Sequence, residues 1–154
     1  MRTGYSAERL ILTLWVGSLW AIGYLAVPVA FSTLETEIAG NYAGILFYAV
    51  NILGIGSALV LLVLRLLSLG IRRFHTLWRN GIIILMLALS LLFIVYIDPQ
   101  MHAIKALEWR SDAALTAQFD FLHKLGESLY LFTSLLGLLL ILTTDKQAEA
   151  DGIR

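Results

Sequence analysis

The sequence predicts an all-α integral membrane protein: a four-helix bundle with a short extra helix on its outer side. Composition is the first observation. Of the 154 residues, 59% are hydrophobic and 14% charged, against roughly 25% charge in an ordinary soluble domain. The second is how the charge is distributed. Residues 10–34, 38–64, 80–97 and 128–144 contain no Asp, Glu, Lys or Arg, which leaves runs of 25, 27, 18 and 17 residues, each close to the ~20 that a helix needs to cross a bilayer. The third is what remains between them. The longest such stretch, Asp98 to Glu127, has 30 residues, too few for a separate soluble domain. A folded nucleotide- or nucleic-acid-binding module is thereby excluded, and a formal net charge of zero gives no basic footprint for nucleic acid. The chain reads as a single four-span domain in the lipid bilayer, with spans at about 10–31, 42–67, 78–97 and 121–144.

The first span follows Arg2 and Arg9. Its apolar run from Leu10 to Leu34 is too long for the roughly 7 to 15 residues of a signal-peptide core, and it carries two tryptophans. It combines Trp15, Gly17, Trp20, Gly23, Tyr24, Pro28 and Phe31, small residues for close helix contact beside aromatics for the interface. Pro28 removes a donor from the ladder and predicts a kink near the outer end. A first outer loop is expected over Ser32 to Asn41. In the second span Asn51, Gly54 and Ala58 share a face, and a central Asn is expected to face the bundle and bond across helices. A basic loop with Arg72, Arg73 and His75 precedes the third span and suits anionic headgroups.

Beyond the third span, Asp98-Pro99 combines a good N-cap with the residue favoured at the first helical position. It predicts a new short helix over Pro99 to Trp109, lying along the interface. Ser111-Asp112 gives a second start signal, after which the pattern runs unbroken from about Ala113 into the fourth span. Leu115, Phe119, Leu122 and Leu129 mark one face, and Thr116, Asp120, His123, Glu127 and Tyr130 another. The fourth helix should therefore project beyond the membrane.

Orientation follows from the basic residues. The side holding both termini and the middle loop carries Arg2, Arg9, Arg65, Arg72, Arg73, Arg79, Lys146 and Arg154, eight against the three (Lys105, Arg110, Lys124) of the other side. The positive-inside tendency then places both termini in the cytoplasm.

Several chemistries are excluded. With no cysteine there is no disulfide, thiolate nucleophile or iron–sulfur ligand. No charge-free run holds a central carboxylate relay for a proton-coupled pump, and no hydrolase or phosphate-binding motif is present. The candidate site is a cluster on the outer side. His102 lies four residues after Asp98, and His123 four before Glu127, with Glu35 and Tyr96 on the same side. Four-residue spacing puts each pair on one helical face, and imidazole with carboxylate suits zinc or copper. Small-xxx-small pairs at Gly17/Ala21, Gly40/Gly44 and Gly54/Ala58 allow close helix contact and suggest a homo-oligomer or a subunit of a larger membrane complex.

The four spans, the first-span pattern of Trp15, Gly17, Gly23, Pro28 and Phe31, Asp98-Pro99 with Met101, and Phe119 with Leu122-His123 and Ser128 together resemble the transmembrane protein 205-like family, the bacterial domain of unknown function 4149. The resemblance covers nearly the whole chain. It implies a four-helix membrane protein without an assigned reaction and a loose association with tolerance of metal-containing drugs. More distantly it is similar to CopD-like copper-resistance membrane proteins and HemJ-like protoporphyrinogen oxidases, from which this chain departs by having no histidine in helices 1 and 2. Three functional readings follow. One is a non-enzymatic factor that binds or moves a metal or small ligand at its outer face, using His102, His123, Asp98 and Glu127, with copper, zinc or no cofactor at all. Another is an accessory or assembly subunit. The last is a haem-binding oxidoreductase, poorly served by the available axial ligands.

Overall fold

The computed structural model describes residues 2–74, 78–107 and 109–143. His75, Lys146 and Arg154 lie outside the described residues. Among those described there is no strand. The elements are α1 (Arg2–Ala21), a π-helical turn (Ile22–Ala26), α2 (Val27–Thr33), α3 (Thr36–Phe74), α4 (Trp78–Leu92), a second π-helical turn (Phe93–Ile97), α5 (Asp98–Lys105), a 3₁₀ turn (Trp109–Ser111) and α6 (Ala113–Leu142). They make four continuous stretches long and apolar enough to cross a membrane, Ser6–Thr33, Thr36–Leu67, Trp78–Lys105 and Ala113–Leu142. The fold is the expected all-α membrane bundle.

The spans follow one another around the bundle, with the first also packed against the fourth. The first and third therefore occupy one diagonal and run in the same direction. Only 22–33% of the most apolar window of each span is buried, so each helix gives one stripe to the core. The rest of its surface is apolar too: Leu67, Leu142 and Val95 are 79%, 73% and 72% exposed, positions tolerable only against lipid. The core is built from Leu12, Trp15, Leu19, Val50, Ala58, Leu61, Ile83, Met86 and Leu140.

Two local readings are corrected. Asp98 does not cap a new helix. It has helical dihedrals (φ −60°, ψ −48°), and Ile97 before it is helical too, so α5 continues the third span through the π-turn. Proline is accommodated because the extra residue of a π-turn moves the preceding carbonyl away from its ring. The same arrangement appears at Pro28, which follows the π-turn Ile22–Ala26. Nor is there a ten-residue first outer loop. The helices close to Leu34 and Glu35 alone, because Ser32 Oγ and Thr33 Oγ1 each donate to the Val29 carbonyl at 2.8 Å and support the last turn, and the Ala39 amide donates to Glu35 O at 2.8 Å.

The second start signal operates as expected. Asp112 is extended (φ −109°, ψ 117°), and its carboxylate accepts from the amides of Ala114 at 2.8 Å and Leu115 at 3.2 Å, satisfying orphan donors of the first turn. The 30 residues of α6 span ~45 Å at the α-helical rise, longer than the ~30 Å hydrocarbon layer.

Candidate functional site

Two polar assemblies lie at opposite ends of the bundle. The one at the far end, away from the chain termini, contains the predicted site residues. His102 Nε2 stands 3.6 Å from Asp98 Oδ1, and His123 Nε2 stands 3.2 Å from Glu127 Oε1. Both histidines are exposed, as is Glu127, while Asp98 is largely covered. Each predicted pair thus forms on its own helix, through the one-turn spacing that suggested it. The structure does not join the two pairs: among the described residues no three His, Asp or Glu side chains gather in a group that could hold a metal ion.

What surrounds His123 is aromatic. Its ring lies parallel to Phe119 (centroids 6.1 Å, 8°), and Phe119 stacks on Trp109 (4.4 Å, 26°). The Arg110 guanidinium lies 5.1 Å from the Trp109 ring centre and pairs with Glu37 at 3.1 Å. The Lys105 ammonium donates to Asn41 Oδ1 at 3.1 Å. These last two contacts tie the third span and its following turn to the start of α3. Glu35 and Tyr96 are exposed.

The assembly at the terminal end was not anticipated from the sequence. Glu8 Oε1 accepts from Arg65 at 2.6 Å and from Arg79 at 3.4 Å. Arg65 Nε donates to Asn80 Oδ1, and Arg79 donates to the Leu140 carbonyl at 2.9 Å and to the Thr143 carbonyl. All four spans meet here, and Arg65, Arg79 and Asn80 are 5%, 4% and 2% exposed. The two arginines, which the charge asymmetry assigns to topology, are interior groups. A signal existed: Arg65 is followed by Leu66 and Leu67, so the apolar run resumes beyond it rather than ending there.

In the middle of the bundle, the buried side chains of Asn51, Thr133 and Ser134 bond within their own helices. Asn51 faces inward as expected, but its Nδ2 donates to Phe47 O on its own helix at 2.9 Å rather than bonding across to another helix. Ser134 likewise donates to Tyr130 O at 2.8 Å, and Thr133 to Leu129 O at 2.8 Å. Local bonds of this kind satisfy a hydroxyl or amide without a partner helix. Trp15 is fully buried, and its indole Nε1 is, among the described residues, the buried side-chain nitrogen or oxygen that lacks a hydrogen-bond partner. It packs into the space left by Gly54, where a β-carbon would stand 2.7 Å from Nε1 and 3.3 Å from Ser90 Oγ.

Fold and polar ends together define a multi-pass integral membrane protein in which, among the described residues, the acidic and basic side chains gather toward the two ends. The chain belongs to the family described as Domain of unknown function (DUF4149), whose model matches residues 10–110. No curated protein and no solved structure matches it. The matched stretch covers the first three spans and both π-turns. His123, Glu127 and Tyr130 on α6 lie beyond it.

Proposed function

We propose that the protein is a non-catalytic membrane component that acts as an accessory or assembly subunit, docking a partner through its far end, with both termini in the cytoplasm. The stacked platform of Trp109, Phe119 and His123 carries this reading. Rings locked against one another lose little entropy when a partner covers them, and the exposed Arg110, Glu37 and Glu127 beside them supply a polar rim. The interior is compatible with it: Trp15, Leu61, Ile83, Met86 and Leu140 are fully buried in the bundle. Photo-crosslinking in native membranes tests the idea, with the reactive residue at Gln118 beside the platform or at lipid-facing Val63. A discrete adduct from Gln118 that is absent from Val63 and lost on Phe119→Ala is expected. Identical adducts from both positions, or none from Gln118, would overturn the reading.

The two His–carboxylate pairs favour a second reading, binding of zinc or copper, in keeping with the metal-tolerance resemblance. Each pair offers two donors where such metals ordinarily take four ligands, so the remaining ligands would come from water or a partner. Protein purified without chelator is the material to assay. Stoichiometric metal lost in a His102→Ala, His123→Ala double variant supports binding there, and a metal-free preparation removes it.

A further inference from the structure

Two joints interrupt the bundle toward its far end. In the first span the π-turn ends at Ala26, two residues before Pro28, and in the third it ends at Ile97, two residues before Pro99. Because these spans run the same way on one diagonal, both joints lie toward the far end. A π-turn departs from the regular ladder, and proline removes a further donor from it, so helices bend preferentially at such places.

Packing differs on the two sides of the joints. On the terminal side stands the core cluster around Trp15 and Met86, closed by half-buried Glu8 with the buried Arg65 and Arg79. On the far side, the π-turn Ile22–Ala26 contains no buried residue and α2 contains only Ala30, while the π-turn Phe93–Ile97 contains only Ile97 and α5 only Ile104. The side-chain ties across this end, Arg110–Glu37 and Lys105–Asn41, are exposed, a setting in which such pairs hold weakly. Two helices, α3 and α6, touch both joints. A β-carbon on Gly126 of α6 would stand 3.7 Å from the Phe93 ring and 3.8 Å from Ile97. Four residues on and on the same face, the Tyr130 ring covers Gly23, and its hydroxyl donates to the Leu19 carbonyl at 2.6 Å.

The geometry points to a conformational device. Segments Val27–Thr33 and Asp98–Lys105 swing outward about the two π-turns, with Gly126 and Tyr130 as their common fulcrum, while the terminal half stays closed. The motion uncovers Ala30, Ile104 and Leu122, buried apolar side chains of the far half, and so opens a cleft for an apolar occupant. It does not depend on whether the platform docks a partner.

Electron-spin distance measurements on the full chain in lipid nanodiscs test it, and the cysteine-free sequence permits clean labelling. Labels at exposed Val29 and Gln100 report the far half, and labels at exposed Thr13 and Ile84 the terminal half. The far pair should give a distance distribution about twice as wide as the near pair, as collective hinge motion requires. The Pro28→Ala, Pro99→Ala double variant should narrow it to the width of the near pair. In the unmodified protein, amides 22–27 and 93–98 should exchange about tenfold faster than amides 12–19 and 83–90, a comparison that stands even where the double variant does not fold. Equal widths, uniform exchange, or a far distribution unchanged in the folded double variant would each sink the proposal.

Discussion

The hydroxyl of Tyr130 donates to the carbonyl of Leu19 at 2.6 Å, reaching it across Gly23, where a β-carbon would overlap the tyrosine ring. The fourth span thereby grips the first where its helix changes from α to π. Phe47 meets the same ring edge-on at 4.8 Å, so the second span is held as well. Tyr130→Phe keeps the ring and loses one hydrogen bond, which should cost about 1 kcal/mol. Gly23→Ala should cost more, about 1–3 kcal/mol, because a stiff ring rather than a flexible chain end occupies the space. Combining Gly23→Ala with Tyr130→Ala should cost less than the sum of the single variants, since truncation removes the clash. Reversible unfolding in mixed detergent micelles measures all four, and strict additivity would argue against the contact.

The network at the terminal end makes a contrasting prediction. Glu8→Gln leaves the two buried guanidiniums without their shared carboxylate, and breaking a buried pair in this way typically costs about 3–5 kcal/mol. Glu37→Gln, which removes the exposed partner of Arg110, should cost about 0–1 kcal/mol. The measurement is the denaturation midpoint of each variant in one detergent. Equal shifts would show that the buried network is no more important to stability than the exposed pair.

Much of the fold was legible because lipid imposes a simple rule: backbone donors and acceptors must be satisfied within a helix, so charge-free length alone located four spans. What was hidden depends on facts that no local pattern carries. Asp98-Pro99 has the chemistry of a helix start, yet the third helix passes through it by absorbing the proline in a π-turn. Arg65 and Arg79 raise the same positive-inside signal whether they face headgroups or the interior, and only their convergence on Glu8, 57 and 71 residues away in sequence, distinguishes the two. The His–carboxylate pairs were legible because four-residue spacing is a local property. Whether two such pairs meet is a tertiary one, and here they stay apart.

The glycines sort by what stands over them. At Gly137 a β-carbon would lie 2.8 Å from Val16 Cγ2, and at Gly54 it would lie 2.7 Å from Trp15 Nε1, so Gly137→Ala and Gly54→Ala should each destabilise by about 1–3 kcal/mol through overpacking. Gly17, exposed on α1, has nothing within 4 Å, and Gly17→Ala should stabilise by up to about 1 kcal/mol through helix propensity. A bulky Gly17→Leu should leave the isolated bundle folded. If Gly17 and Ala21 form a seam with a second copy, the same variant should convert an oligomer to monomers in native mass spectrometry.

Topology yields the last prediction. By the sequence count, the flanking segments on the side of Glu37, Arg110 and His123 hold three basic residues and those on the other side eight, so insertion should leave the former outside the cytoplasm and the latter within it. Burial of Arg65 and Arg79 removes two of the eight from contact with headgroups, and the remaining six still exceed three. The proposed orientation therefore survives the correction. Single cysteines in this cysteine-free chain at Glu37 and at Thr76 should react with a membrane-impermeant maleimide from opposite sides: Glu37 in intact cells, Thr76 only after permeabilisation. Reaction of both from the same side would contradict the four-span path, and exchanged accessibility would keep the fold but invert it in the membrane.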